Sequence, residues 1–278
     1  MKRREPGYPR LLGAIHDPPP QLFLRGEAEV DVLARAAIAI VGARSCSSYG
    51  RSVARSLGRD LAAAGLVVVS GMARGVDGEA HRGALEADGV TVAVLGCGID
   101  RDYPAAHAEL ARRIGHDGLL VSEYEPGVEP APWRFPARNR IIAGLCSATV
   151  VVEARERSGA LITADFALEE GRDVLAVPGE ITSSLSAGTN ALLRLGATPV
   201  TGVDDVLELF HLEPSKPKRT PLGGAAAAIL ERLGEGPLTA DELARAVGLS
   251  VAEASPALME LELSGSVRVE DGVYRAAV

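Results

Sequence analysis

The sequence predicts a doubly wound α/β domain with a mainly parallel sheet, followed by a small C-terminal winged-helix domain. Three observations carry that expectation. From residue 36 onward, continuous apolar and β-branched runs alternate with helical patterns, as strands covered on both faces require. Three of the runs end in glycine turns, G-A-R-S-C-S-S-Y-G (42–50), S-G-M-A-R-G-V-D-G-E-A-H (70–81) and G-C-G-I-D (96–100). In such sheets these turns line the crevice at the carboxyl ends of the strands. Beyond residue 224, short helical patterns precede a hairpin signal, Asp271-Gly272.

Taken in order, residues 1–35 read as an irregular lead-in broken by Pro18-Pro19-Pro20. AAIAIVG (36–42) is the first strand, and a helix follows from about Tyr49 to Ala64. GLVVVSG (65–71), a helix over about Gly78 to Ala87, and VTVAVLG (90–96) continue the alternation. A further helical stretch leads to GLLVSEY (118–124); an irregular loop then precedes ATVVVEA (148–154). A helix at 159–171, DVLAVPG (173–179), a helix at 189–196 and ATPV (197–200) close the domain, which is bounded at 36–212. EPSKPKRTPLGG (213–224) has linker composition. In 225–278, Thr239 ahead of Asp241-Glu242 starts a helix and Gly248-Leu249-Ser250 makes a turn, so helix–turn–helix plus hairpin is a winged-helix pattern.

A chain of 278 residues suits two domains. With 47% hydrophobic and 24% charged residues it is not intrinsically disordered. No apolar run approaches the ~18 residues that span a bilayer, and the basic N-terminus has no apolar stretch after it to form a secretory signal. Three separate cysteines support neither a disulfide framework nor a zinc site. These features point to a reduced, cytoplasmic protein. The formal net charge of −8 by itself argues against a nucleic-acid binder, and the segment 222–278 is itself acidic, with 4 basic and 9 acidic residues. The only lysines are Lys2, Lys216 and Lys218. Schiff-base chemistry and a phosphate-loop lysine are thereby excluded from 37–212, where any anion site must use arginine, backbone amides and helix N-termini.

The glycine turns place Gly42, Ser70, Gly71 and Gly96 where backbone could approach an anion; tight turns alone are the alternative. A dinucleotide site is disfavoured, because G-x-G-x-x-G is missing after the first strand and no acidic residue ends the second. Asp77 and His81, four apart, read as a hydrogen-bonded pair fixing loop to helix, a catalytic dyad being the alternative. Asp100, Asp102, Glu123 and Glu125 match no metal-ligand spacing. The most informative string is P-W-R-F-P-A-R-N-R-I-I-A-G-L (132–145), where Arg134, Arg138 and Arg140 are interleaved with Trp133 and Phe135 in a chain only 4% aromatic. Guanidinium forks bind phosphates and aromatic faces stack on unpaired bases, so the string points to single-stranded nucleic acid held without sequence readout. The alternative is pairing of these arginines with Glu123, Glu125 and Glu129. Ser158 and Gly159, at a helix start, offer another phosphate cradle, and the polar turn 178–190 could cover the same crevice.

The strings VGARSCSSYG (41–50), SGMARGVDGEAHRGAL (70–85), VLGCGIDRDYP (94–104), SEYEPG (122–127), FPARNRIIAGL (135–145), VVEARERSGALITADFALEEGRDVLAVPG (151–179) and GTNALLRLGA (188–197) resemble the DNA-processing protein A family. The resemblance runs in order over about residues 8–210. It implies an extended Rossmann-like domain that binds single-stranded DNA as a homodimer, protects incoming strands in natural transformation, and loads the RecA recombinase onto them. It implies no enzyme activity and no cofactor. By the same resemblance Arg44 contacts strand phosphate, Phe135 stacks on a base, Arg138, Asn139 and Arg140 shape the pocket, and Ser158-Gly159 add backbone donors. Pro132 stands where some members carry lysine, with Arg134 as the substitute. Helix 189–196, with Leu192, Leu193 and Leu195, is the candidate dimer interface, a core helix being the alternative. The lead-in is too short for the N-terminal SAM-like domain of many members. The acidic winged helix should be repelled by phosphate, which suits a protein-contact module or a spacer. The competing reading is a nucleoside-monophosphate glycosidase of the lysine-decarboxylase-like (LOG) type; its Pro-Gly-Gly-x-Gly-Thr motif is absent, the nearest residues being Pro178-Gly179 and Gly188-Thr189.

Overall fold

The computed structural model describes residues 1–213, 224–263, 266–270 and 272–276. The chain divides into two compact units, Met1–Ser215 and Lys216–Val278. Among the described residues no helix is long and apolar enough to cross a membrane.

The first unit opens with α1 (Arg10–Gly13), β1 (Phe23–Arg25) and a 3-10 turn (Val30–Ala34). There follow β2 (Ala37–Val41), α2 (Ser48–Ala63), β3 (Val67–Ser70), α3 (Val76–Glu86), β4 (Thr91–Leu95), α4 (Ala108–Asp117) and β5 (Leu119–Ser122). The return half comprises α5 (Arg134–Leu145), β6 (Ala148–Val151), α6 (Gly159–Glu169), β7 (Asp173–Ala176), α7 (Ala187–Arg194), β8 (Thr198–Pro199) and α8 (Val203–Leu209).

Eight strands form one sheet in the order β1-β5-β4-β3-β2-β6-β7-β8. All neighbours are parallel except β1, which runs antiparallel to β5. The chain winds outward from β2 to β5 and then returns to lay β6 against the free side of β2, with Ile38 opposite both Val68 and Ala148. That reversal opens a crevice at the carboxyl ends of β2 and β6, where doubly wound sheets bind ligands. Every residue of β2 to β6 is buried, as continuous apolar runs demand. Ala37, Ala39 and Val41 pack with Ile141, Ile142 and Ala164 of α5 and α6, while Ile38 and Ile40 pack with Val53, Leu57 and Ala80 of α2 and α3.

Two segments expected to be irregular are ordered parts of this unit. In the lead-in, Leu12 and Leu22 are fully buried, the Met1 amino group donates to the Leu22 carbonyl at 2.8 Å, and Phe23 pairs with Ser122. Three residues of strand between proline and glycine are too short to show a period in sequence. The other segment is the stretch ahead of β6, where α5 forms. Pro136 lies in its first turn, where a missing N–H breaks no helical bond.

In the second unit, α9 (Gly224–Leu233), β9 (Leu238–Thr239), α10 (Ala240–Ala246), α11 (Val251–Leu263), β10 (Val267–Glu270) and β11 (Val273–Ala276) form a winged helix with strand order β10-β11-β9. Ile229, Leu243, Leu258 and Leu261 fill its core. Thr239 caps α10 in a reciprocal box with Glu242. Apart from its end residues, the expected linker at 213–224 lies outside the described residues, and so does Asp271 of the expected hairpin turn.

Candidate functional site

Strands β3, β2 and β6 are neighbours in the sheet, and an Ala-Arg dipeptide follows each of them: Ala73-Arg74, Ala43-Arg44 and Ala154-Arg155. Arg44, Arg74, Arg155 and the nearby Arg157 are all exposed, and none has a carboxylate within ion-pair distance among the described residues. Other arginines of this unit are ion-paired, Arg55 with Glu79 and Glu86 and Arg112 with Glu109, while further exposed ones such as Arg51 and Arg113 also lack a carboxylate among the described residues, so what sets these four apart is their clustering. Arg44, Arg155 and Arg157 line a cavity of about 470 Å³ whose wall also includes Gly42, Phe135, Arg138, Asn139, Ser158 and Gly159.

The turn bearing Arg44 is held chiefly by Glu153, with the Val76 amide donating to the Ala43 carbonyl at 3.3 Å from the other side. The Glu153 backbone carbonyl accepts from the Ala43 amide at 2.7 Å, while its carboxylate accepts from the Ser47 amide at 2.9 Å and the Ser47 hydroxyl at 2.5 Å. Ser47 also caps α2 by accepting from the Gly50 amide at 3.0 Å. Glu153 is buried, so this clamp sits beneath the turn and leaves Arg44 free above it.

Helix α5 supplies the opposite wall, presenting Phe135, Arg138, Asn139 and Ile142 at i, i+3, i+4 and i+7. The Phe135 ring lies against Gly96, where a Cβ would stand 2.8 Å from the ring. The Tyr103 ring stacks beside it, 5.1 Å between centroids at 25°, and the Arg44 guanidinium lies 5.4 Å from the Phe135 centroid. Arg138 is buried; it donates to the carbonyls of Gly71, at 2.7 Å, and Val94, and to the Asn139 side chain. Burial pulls its pKa down to about 10, against the attraction of Asp77. Asn139 donates to the Gly159 carbonyl at 3.1 Å and so ties α5 to the start of α6, where Ser158 accepts from the Ala160 amide.

Several residues stand elsewhere than expected. Arg140 does not line the cavity: it is bound by Glu123 at 2.7 Å and by Asp17 at 3.0 Å, the pairing weighed as the alternative. Arg134 is also absent from it, stacked on Tyr124 and Trp133 with its guanidinium on the Glu129 carbonyl. Ser70 is fully buried and donates to the Ile40 carbonyl at 2.6 Å, so its hydroxyl is part of the core. Gly42 lines the cavity, but a Cβ there would also strike Val76 at 2.6 Å, so its smallness serves the packing of α3. On α7, Leu192 is buried and Leu193 half-buried, leaving Leu195 as the projecting leucine at 85% exposed. Asp77 fixes its turn by accepting from Gly71 and Ala73, but His81 bonds Thr91 instead of Asp77. Of the carboxylates considered for a metal, Asp102 pairs with Arg25 and Glu123 with Arg140. The reading of the sequence missed Arg74, Arg155, Arg157 and Tyr103; the recurring Ala-Arg after three strands was the available signal for two of them.

Residues 1–211 match the family model described as DNA recombination-mediator protein A, and residues 213–272 match that of the DprA winged helix domain. A putative DNA processing protein DprA of Mycobacterium tuberculosis is 44% identical over 263 residues, 91% of this chain and 68% of the relative. The DNA processing protein DprA of Streptococcus pneumoniae is 47% identical over 204 residues, 73% of this chain and 71% of the relative. The X-ray structure of a DprA from S. pneumoniae superposes with a TM-score of 0.72 at 45% identity, covering 77% of this chain and 74% of that one. DNA processing protein A from Helicobacter pylori, solved for its unique single-stranded DNA binding mode, gives 0.68 at 29% identity, covering 76% and 98%. On both family models and these relatives, the chain belongs to the DNA-processing protein A family of DNA recombination mediators.

Proposed function

We propose that this protein binds single-stranded DNA without sequence preference, protects it, and loads a RecA-type recombinase onto it in natural transformation. It acts in the cytoplasm as a homodimer, by binding and not by turnover. One observation carries the reading: exposed arginines without carboxylate partners ring a cavity whose wall holds the half-exposed Phe135. Unpaired guanidinium groups beside an aromatic ring serve the phosphates and bases of a single strand, and a duplex hides the base faces that stacking needs. The attraction is local, since the chain as a whole carries −8. The solved single-strand binding mode of the H. pylori relative supports the same reading. Dimerisation would use the end of α7, where Leu195 stands exposed.

Gel shifts with single- and double-stranded oligonucleotides over a salt series test the proposal. Single strands of any sequence should bind more tightly than duplex, with affinity falling steeply as salt rises. Arg44→Ala should weaken every strand alike and lower the salt slope by about one. Equal affinity for duplex, or binding indifferent to salt, overturns it. Hydrolysis of a nucleoside monophosphate by the purified protein would favour the glycosidase instead.

A further inference from the structure

A second cavity of about 330 Å³ opens beside the first and shares Arg44, Ser45, Ala73, Phe135 and Arg138 with it. Its remaining wall includes Arg74, Gly96, Tyr103 and Pro104. We propose that this cavity is a second nucleotide subsite, with Tyr103 as its base-stacking ring and Arg74 as its phosphate contact. The inference rests on the single-strand reading above and extends it: the strand crosses the carboxyl edge of the sheet from the β4 side to the β6 side instead of ending at Phe135.

Tyr103 is 41% exposed, and its ring lies within 25° of parallel to Phe135. The two rings form one aromatic surface that spans the boundary between the cavities. Among the described residues nothing is hydrogen-bonded to the Tyr103 hydroxyl, so the ring is held by its stacking on Phe135 and its polar end is left to solvent. A π-face accepts any base, so a second ring adds affinity without sequence preference. Arg74 supplies the charge. It is exposed, has no carboxylate partner among the described residues, and follows β3 as Arg44 follows the adjoining β2. Arg44 lines both cavities, Arg74 only the second and Arg155 only the first, so the three follow the strand order β3, β2, β6 across the sheet edge. A polynucleotide backbone laid along that edge passes both cavities in turn.

The competing explanation makes Tyr103 a lid that only packs on Phe135. Fluorescence anisotropy with oligothymidylates of graded length separates the two, using the full chain and the variants Tyr103→Phe, Tyr103→Leu, Arg74→Ala and Phe135→Ala. Thermal melts would establish that each variant is folded. Tyr103→Phe should bind as the wild type does. Tyr103→Leu, which keeps an apolar lid but no ring, should bind long oligomers about tenfold more weakly, and the shortest oligomers as well as the wild type does. Arg74→Ala should lower the salt slope by about one. Wild-type binding of long oligomers by either Tyr103→Leu or Arg74→Ala overturns the subsite, and so does an equal loss in Tyr103→Phe. If Phe135→Ala still weakens binding in that case, the single-strand reading survives alone. A wild-type protein that binds no single strand removes both.

Discussion

Arg138 and Asp77 hold the same residue from its two polar ends: the guanidinium donates to the Gly71 carbonyl at 2.7 Å, and the carboxylate accepts from the Gly71 amide at 3.2 Å. Between them and Arg74 the turn passes through Met72, a fully buried residue at φ 61, in the left-handed region that most side chains avoid. The Met72 carbonyl accepts from His107 Nδ1 at 3.0 Å, and the Ala73 amide donates to Asp77. Three side chains thus fix an unfavourable turn, and the turn presents Arg74.

Arg138 is therefore expected to matter through the fold and Arg44 through the ligand. Arg138→Met leaves the Gly71 and Val94 carbonyls without their buried donor and should cost about 3 kcal/mol of stability in urea unfolding. Arg44→Ala, exposed and unpaired, should change stability by less than ~0.5 kcal/mol while reducing the salt dependence of DNA binding. Unchanged stability in Arg138→Met would show that the turn does not depend on it.

Gly96→Ala tests the seat of the aromatic ring. The new methyl carbon would stand 2.8 Å from Phe135 Cδ1, closer than carbon atoms approach, so the ring must lift from the sheet edge. Phe135 is only half-buried and can move, which keeps the expected stability loss under ~1 kcal/mol. The stacking surface moves with it, so single-strand affinity should fall by ~1–3 kcal/mol, comparable to Phe135→Ala. Titration with a labelled oligonucleotide beside a thermal melt reads both effects.

The parallel sheet was legible because β2 to β6 are unbroken apolar runs, and the crevice was legible because glycine turns end three of them. The arginine string was taken for a loop, and it is a helix. Read as a loop, 132–145 brings Arg134, Phe135, Arg138 and Arg140 together; wound as α5, it keeps Phe135 and Arg138 at the cavity and turns Arg134 and Arg140 away from it. Arg140, five residues beyond Phe135, stands about 140° round the helix and meets Glu123. Pro132 and Pro136 hid that helix, since a proline is tolerated in a first turn that sequence alone does not locate. Ser70 failed for the opposite reason: a hydroxyl beside a glycine turn looks available until the buried register of β3 directs it to Ile40.

Glu153→Gln probes the clamp under the Arg44 turn. The carboxylate accepts twice from Ser47, through both of its oxygens. An amide in its place sets an NH₂ group against one of those donors in a buried site, and a loss of about 2 kcal/mol is expected. The Arg44 turn should loosen as well, weakening all single strands alike without altering discrimination between sequences. Wild-type stability in urea together with wild-type affinity would show that the backbone bonds of Ala43 to Glu153 and Val76 hold the turn without the carboxylate.

His81 makes the fold acid-sensitive. The Thr91 hydroxyl donates to the Val68 carbonyl at 2.7 Å, so its one hydrogen is committed and His81 Nδ1 must be the donor in their 2.7 Å contact. His81 Nε2 is then the unprotonated nitrogen, fully buried and without a partner among the described residues. Adding a proton there places an unsatisfied charge in the core; burial foremost, with His107, Arg138 and Arg82 adding repulsion, lowers the pKa from 6.5 to about 3. Below pH 6.5 the unfolded chain takes up a proton that the folded chain refuses. The stabilisation is therefore complete above that pH and is lost at up to about 1.4 kcal/mol per pH unit as acidity rises toward pH 3. His81→Gln can still donate to Thr91 but does not titrate. Its urea-unfolding free energy should drop roughly 2–3 kcal/mol less than the wild type's between pH 6.5 and 4.5, whatever its value at neutrality. An acid slope equal to the wild type's would assign the sensitivity to other groups.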